Sequence, residues 1–518
     1  MDKTTEANNT SSNTKRIAKN TLMLYFRQIL IMLVSLYTVR VVLNVLGAED
    51  YGIYNVVAGV VTMFSFLSGS LASSFQRYLT YDLAKNDSEK LKNTFALGLG
   101  VFVLLGVIIL VLLETIGLLF VLKKLVIPQE RLFAAVCVYE ASVISFAILL
   151  MLAPFQAMLL ADENMSVYAY ASIIEVLLKL LIVILLKLFS FDKLTVYGFL
   201  MLLVPCANIV MYVGYCYRKY SATRTPPKFK WSEQKEIVSY TSWNLLGAMA
   251  GTVRNQGINI LINLFFGPIV NAARGIANQV NSAIMSFSSN FSVALRPQII
   301  KEYAVGNKDG SMKLVFRGCK FCFYLLWIFA LPLILNMDYV LTIWLKNVPE
   351  YAVLFTILVI IDGLVDCLSY PLIALMHAHG RIKEYQIIVG IIQLLNLPVS
   401  YIFLKLGYPA SSTMFIAIVL SVLAIISRLI VLHILTKVSI LAFLRNVIIS
   451  VVLVLGFSLS VSYAFNKFCI VKLNFGFFVL ESFISVIVVI ASILIWGITR
   501  EERSSLLYKI KSKITITN

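Results

Sequence analysis

Apolar runs of about 20 residues, each long enough to cross a bilayer, recur along the whole chain with short polar stretches between them. Fourteen such spans are read, at 20–43, 52–74, 95–121, 133–158, 165–187, 195–217, 239–265, 268–293, 314–336, 351–374, 382–404, 411–435, 441–464 and 474–497. The pattern predicts an all-α integral membrane protein with about 14 transmembrane helices. Residues 1–14 (MDKTTEANNTSSNT) are polar, so a disordered cytoplasmic N-terminus is expected over 1–19. The first apolar stretch is too long for the apolar core of a signal peptide, so no cleaved leader is expected.

The spans repeat. PFQAMLLADENMSVY at 154–168 and PLIALMHAHGRIKEY at 371–385 share Pro154/Pro371, Ala157/Ala374, Ala161/Ala378 and Tyr168/Tyr385. Leu46-Gly47 pairs with Phe266-Gly267, each glycine ending a span before a short outside loop. The loop holding Ala84-Lys85-Asn86-Asp87 pairs with Val305-Gly306-Asn307-Lys308-Asp309. The repeating unit is six spans. Six is even, so both halves enter the membrane from the same side, as parallel repeats. The expected organisation is a six-helix bundle over 20–217, a cytoplasmic linker over 218–238 stiffened by Pro226-Pro227, and a second bundle over 239–435. Helices 13 and 14 follow at 441–497, then a basic cytoplasmic tail at 498–518. Two bundles of this kind favour alternating access around a central cavity.

Composition agrees and adds orientation. The 518 residues are 60% hydrophobic and 14% charged, with a mean hydropathy of +0.88. Soluble proteins carry about 45–50% apolar and about 25% charged residues, so a soluble enzyme is excluded. The net charge is +18. With the N-terminus inside, Lys and Arg are roughly threefold more frequent in inside segments than in outside loops, the bias of a cytoplasmic face. Both termini are therefore expected in the cytoplasm, and nucleic-acid binding is not expected. Cys319 and Cys322 form a CxxC without a second pair and read as packing residues. His377 and His379 lack further ligands for a metal. No cofactor is expected.

Ionisable residues inside spans face a bundle interior or a wet cavity. In span 8, Asn271, Asn278, Ser282 and Ser289 share one stripe, flanked by Arg274 and Asn281. Span 7 carries Asn244, Ala248, Gly251 and Asn255 on a stripe, with Arg254 beside it near mid-span. Span 2 shows Tyr51, Asn55, Thr62, Ser65 and Gly69 on one face. Span 1 shows Tyr37, Arg40 and Asn44 on one face and Arg27 on another. These faces can ring a shared cavity, and helix packing through small residues is the plainer use of the serines and glycines. Arg254 lies deepest, whereas Arg27, Arg40 and Arg274 could snorkel. Glu175 and Lys179, spaced i, i+4, read as a mutually neutralising pair. Asp362 and Asp366 have the same spacing but like charge. Such a pair tends to hold one proton, which suits ion coupling, or it answers a basic residue across the bundle. Arg428 and His433 read as interface residues.

Three segments carry a family resemblance: RIAKNTLMLYFRQILIMLVSLYTVRVVLNVLGAEDYGIYNVVAGVV at the start, NQGINILINLFFGPIVNAARGIANQVNSAI in spans 7 and 8, and the loop AHGRIKEYQ. They resemble Wzx-type polysaccharide (O-antigen) flippases of the multidrug/oligosaccharidyl-lipid/polysaccharide exporter (MOP) superfamily, with MATE-like architecture. The resemblance covers spans 1–12. It implies a bacterial inner-membrane protein that moves undecaprenyl-diphosphate-linked oligosaccharide to the periplasmic leaflet for surface polysaccharide and lipopolysaccharide biosynthesis. It also implies that arginines bind the anionic part of the cargo. The matching positions, inferred by span, are Arg27, Arg40, Arg254 and Arg274. Arginine suits a diphosphate through its fork and permanent charge. Tyr51, Tyr54, Asn55, Asn255, Asn271 and Asn278 are the groups expected to meet sugar hydroxyls. The expected state is a monomer working beside a polysaccharide polymerase and glycosyltransferases.

Three other readings compete. A MATE-type cation exporter calls for an acidic or aromatic cavity, yet spans 1, 2, 7 and 8 hold four arginines and no Asp or Glu. A lipid II flippase of the MurJ type is a close variant. A membrane glycosyltransferase or polymerase calls for carboxylates or a large hydrophilic loop, and the longest loop here is the linker 218–238.

Overall fold

The computed structural model describes residues 3–84, 87–162, 164–189, 191–229, 231–379, 383–468 and 474–498. They are helical with short connections, and no strand occurs among them. Eleven helices among the described residues are long and apolar enough to cross a membrane, and the chain is a multi-pass membrane protein. The three spans not counted separately are 2, 7 and 8. Span 2 is divided between the ends of Lys3–Thr62 and Ser65–Ala84, and the helices of spans 7 and 8, Trp231–Phe266 and Pro268–Ala304, carry asparagines, serines and glycines that lower hydropathy without breaking the helix. The first helix runs back to Lys3, into the segment expected to be disordered. Extending a formed helix costs far less than nucleating one.

Local chemistry fixes the turns. Spans 1 and 2 join at Gly47, whose φ of 82° and ψ of 170° are non-helical. Spans 7 and 8 join at Gly267, with φ 77°. Positive φ costs other residues about 1–2 kcal/mol, so the two glycines of the repeat make the same turn for the same reason. Two helix starts, at Asp87 and Asn307, also match. Asp87 caps Ser88–Leu112 by accepting from the Lys90 N–H at 3.0 Å. Asn307 caps Lys308–Leu335 by accepting from the Gly310 N–H at 2.9 Å.

Several spans are interrupted. Span 2 breaks at Met63-Phe64, span 10 at Leu368-Ser369 between Ala352–Cys367 and Tyr370–His379, and span 11 between Lys383–Leu394 and Asn396–Lys405. The loop after span 9 contains a short helix, Met337–Leu345, which buries Met337, Leu341 and Leu345 on one face.

The chain divides into two compact units: 1–275 with 400–406, and 276–399 with 407–518. The division falls inside the span 8 helix rather than in the linker 218–238. The reason is the packing of span 7, which lies on Ser65–Ala84, on Lys3–Thr62 and on Ser88–Leu112. In the first unit, Leu132–Ala161 packs along Lys193–Lys219 and on Ser65–Ala84. Its core includes Phe75, Phe95, Phe102, Tyr139 and Phe155, with Phe95 edge-on to Phe155 at 5.4 Å. In the second unit, Ala352–Cys367 packs on Ser412–Thr436, and Lys308–Leu335 meets the last two spans. Cys319 and Cys322 are buried there. Their thiols face the carbonyls of Leu368 (3.2 Å) and Ser288 (3.8 Å), as packing residues would.

Within the first unit the two glycine turns lie against each other. A Cβ at Gly52 would sit 1.8 Å from the Pro268 carbonyl oxygen, whereas one at Gly69 meets nothing within 4 Å. Gly52→Ala should therefore destabilise by about 3 kcal/mol or more, since overpacking against backbone has no cheap relief. Gly69→Ala should be neutral or stabilising, because Ala favours a helix interior by about 1 kcal/mol. Thermal unfolding of the two purified variants checks both.

Candidate substrate-binding site

The first unit contains most of the residues expected to meet substrate. After the Gly47 turn, Tyr51 is buried, and Asn55 one turn later donates to the Tyr51 carbonyl at 2.7 Å. The Asn55 amide also lies against Gly275 at the start of span 8. Tyr54 turns toward span 6, its ring 4.9 Å from that of Tyr197. It lines a cavity of about 190 Å³ with Ser142, Ser145, Glu175, Lys179 and Asn208. Glu175 accepts from Lys179 at 2.6 Å and, through its other oxygen, from Asn208 at 3.0 Å. The i, i+4 pair of span 5 thus forms, with a third partner from span 6.

Spans 7 and 8 are joined by side chain–backbone bonds. Asn271 is buried and donates to the Asn259 carbonyl at 2.8 Å. Asn259 itself donates to the Gln256 side-chain oxygen at 2.8 Å. Arg274 is only 5% exposed, and its guanidinium donates to the Asn255 carbonyl at 3.3 Å. This arginine is held by the backbone of span 7 and does not snorkel. Arg254 and Arg40 are half-buried, and the Asn255 side chain is exposed. The Arg40 carbonyl accepts from Asn44 at 2.8 Å. The Arg27 side chain lies outside the described residues. The candidates therefore separate by environment: Tyr51, Asn271 and Arg274 sit in the packed interior, while Arg40, Arg254 and Asn255 keep accessible surface.

Sequence reasoning missed Asn263, which is fully buried and clamps the loop after span 3. It accepts from the Val126 N–H at 2.9 Å and donates to the Val126 carbonyl at 3.2 Å. The signal was the run Asn255, Asn259, Asn263 at i, i+4, i+8. Both ends of the unit are tied by charge. At one end, Arg131 donates twice to Asp50 and once to Asp192, the latter at 2.5 Å. Partial burial works to raise the Asp192 carboxyl. The Thr195 amide and hydroxyl and the Arg131 charge outweigh it and hold it below the usual carboxylate range. At the other end, Asp162 accepts from Lys219 at 2.7 Å and from Tyr220 at 2.6 Å. Burial, with the Asp162 bond, pushes the Tyr220 phenol up to about 12.

In the second unit, Asn278 is half-buried on span 8. Asp362 accepts from Ser421 at 2.6 Å, and Asp366 lies 3.9 Å from the Arg428 guanidinium. Each carboxylate therefore has its own group on span 12. Arg428 is not an interface residue: it is 3% exposed and donates to the Tyr385 hydroxyl at 3.2 Å and to Ser369, in the break of span 10, at 2.5 Å. The Tyr303 hydroxyl and His379 are hydrogen-bonded at 2.8 Å. Removing one partner of a buried pair costs about 3–5 kcal/mol. The Asp366 end is 37% exposed, so Arg428→Met should fall near the bottom of that range. Adding Asp366→Asn should restore part of the lost melting temperature, and a double-mutant cycle by thermal unfolding measures it.

Comparison with known proteins now adds a family. Residues 17–301 match the family described as polysaccharide biosynthesis protein. Comparison with curated proteins by sequence gives no match. The fold is similar to that of the lipid II flippase MurJ in an inward closed conformation, with a TM-score of 0.66 at 14% identity over 95% of this chain and 99% of that one. It is also similar to an inward-facing multidrug resistance MATE family transporter of the MOP superfamily, with a TM-score of 0.63 at 14% identity over 80% and 99%. A MOP superfamily transporter from Pyrococcus furiosus gives a TM-score of 0.57 at 14% identity over 81% and 97%. These likenesses establish a MATE-like fold. The sequence match spans more than half of the chain, and the protein belongs to the polysaccharide biosynthesis protein family.

Proposed function

We propose that the protein is a flippase for undecaprenyl-diphosphate-linked oligosaccharides. It moves them from the cytoplasmic to the periplasmic leaflet of the bacterial inner membrane by alternating access, for surface polysaccharide assembly. The observation that carries this reading is the sign of the charge in spans 1, 2, 7 and 8, which hold four arginines and no carboxylate. A diphosphate needs permanent positive charge with forked donors, and a low-dielectric setting strengthens the attraction. Family membership supports a role in polysaccharide synthesis, and a lipid-linked cargo suits a fold shared with a lipid II flippase.

The residues take different parts. Arg254 and Arg40, with accessible surface, are the phosphate-binding candidates, and Arg27 is the third. Arg274, held by the span 7 backbone, positions Asn255 and its neighbour Arg254. Asn255 and Asn278 meet sugar hydroxyls, while Tyr51, Asn55 and Asn271 hold the helices that present them. No enzymatic step is assigned.

Arg254→Ala is expected to lower surface glycan at least tenfold in a cell lacking the native protein, with the variant still folded and inserted. A charge-assisted hydrogen bond is worth about 1.5–3 kcal/mol, and about 1.4 kcal/mol is tenfold in affinity. Normal surface glycan would refute the assignment. One observation favours a second reading, a cation exporter: the cavity of the first unit is lined by both Tyr54 and Glu175. Raised minimum inhibitory concentrations of cationic dyes on expression would decide for the exporter. The flippase reading expects no change.

A further inference from the structure

The last two spans hold a buried polar layer that no part of the proposed transport mechanism uses. Span 13 (Ile449–Phe468) and span 14 (Phe475–Ser492) pack as an antiparallel pair. Rings close the outer end, with Phe465 stacked on Phe477, and the inner end, with Phe457 against Trp496. Between them lies Glu481, the single acidic residue of either span and fully buried at 0% exposure. It stands about 9 Å into the helix from Phe475, at about 1.5 Å per residue.

One Glu481 oxygen, Oε1, accepts from the Asn466 amide at 2.7 Å. The other, Oε2, has no partner among the described residues. Nor do three neighbouring hydroxyls: Ser462, Ser482 and Ser485. Ser462 is one turn below Asn466, and Ser485 is one turn below Glu481 on the opposing helix. Residues four apart share a helix face, so the Asn466–Glu481 bond sets a register that brings Ser462 and Ser485 opposite each other. Both are 1% exposed.

Serines in helices usually satisfy themselves by donating to a carbonyl of the preceding turn. On these same helices Ser458 and Ser492 do so, at 2.6 and 2.8 Å. Ser462, Ser482 and Ser485 do not, which leaves their oxygens available to a ligand. An ionised carboxylate in a membrane interior is costly unless its charge is answered. A single proton on Oε2 would supply one donor and leave hydroxyls over. A cation answers the charge and draws on several oxygens at once. One carboxylate with neutral hydroxyls balances a single positive charge, whereas divalent ions favour several carboxylates or retained water.

From this geometry we infer that Glu481, with the Ser462 and Ser485 hydroxyls, forms a binding site for a dehydrated monovalent metal cation, of the sodium class, between spans 13 and 14. The site is independent of the cargo assignment.

The test uses the purified full-length protein and follows thermal unfolding in sodium chloride against choline chloride at equal ionic strength and pH. A bound ligand raises the unfolding temperature with concentration. The wild type should be stabilised by sodium over choline. Ser485→Ala should need about tenfold more sodium for the same shift, a loss of about 1.4 kcal/mol. Glu481→Gln, which keeps shape but not charge, should lose the sodium response. No sodium preference in the wild type overturns the site, as does a full response in Glu481→Gln. Stabilisation that appears only as pH falls, equally in both salts, also overturns it and assigns a proton to Glu481. Should Glu481→Gln fail to fold, the double variant Ser462→Ala/Ser485→Ala decides: a weakened response supports the site and an unchanged one overturns it.

Discussion

Hydrocarbon offers no hydrogen-bond partner, and that constraint governs this molecule. It makes every span a helix, because only a helix satisfies its own backbone. It also makes a polar side chain inside a span costly unless another group answers it. Asn263 takes both backbone groups of Val126, Asn271 takes the Asn259 carbonyl, and Asn208 joins the Glu175–Lys179 pair. Arg428 draws Tyr385, Ser369 and Asp366 around itself. These polar contacts join helices far apart in sequence, and apolar packing alone would not specify which helix meets which.

Polar spans can pack closely as well, through small residues. Spans 2, 7 and 8 carry too many asparagines, serines and glycines to be counted as separate apolar spans, yet each is helical. Their small residues allow backbone to approach backbone, as Gly52 does at Pro268. That approach, together with the side chain–backbone bonds, draws span 7 into the first unit. Charge on these helices is thereby carried on a framework tied by bonds such as that from Asn271 to the Asn259 carbonyl. Arg274 belongs to that framework through the Asn255 carbonyl. Arg40 and Arg254 keep accessible surface.

Charge placement separates orientation from function. Lys and Arg in loops and tail act on insertion, whereas an arginine inside a span has to find a place within the fold. Span 12 shows how far such a residue can depart from its sequence reading. Arg428 sits near a span end, where snorkelling is the simple expectation. It turns inward because span 10 breaks at Ser369 and presents a hydroxyl and a carboxylate to it.

Sequence by itself determined the helical architecture, the glycine turns and the Glu175–Lys179 pair, because each rests on local rules: apolar length, positive φ, and i, i+4 spacing. Gly47 and Gly267 share the same left-handed turn, as their matched positions in the repeat suggest. Tertiary structure alone decided where spans 2, 10 and 11 break, that span 7 packs with the first unit, and that Arg274 and Arg428 are buried. It also decided that Glu481 is buried with one oxygen unanswered. These outcomes depend on which helices become neighbours, and a periodic pattern along one helix carries no information about what stands opposite.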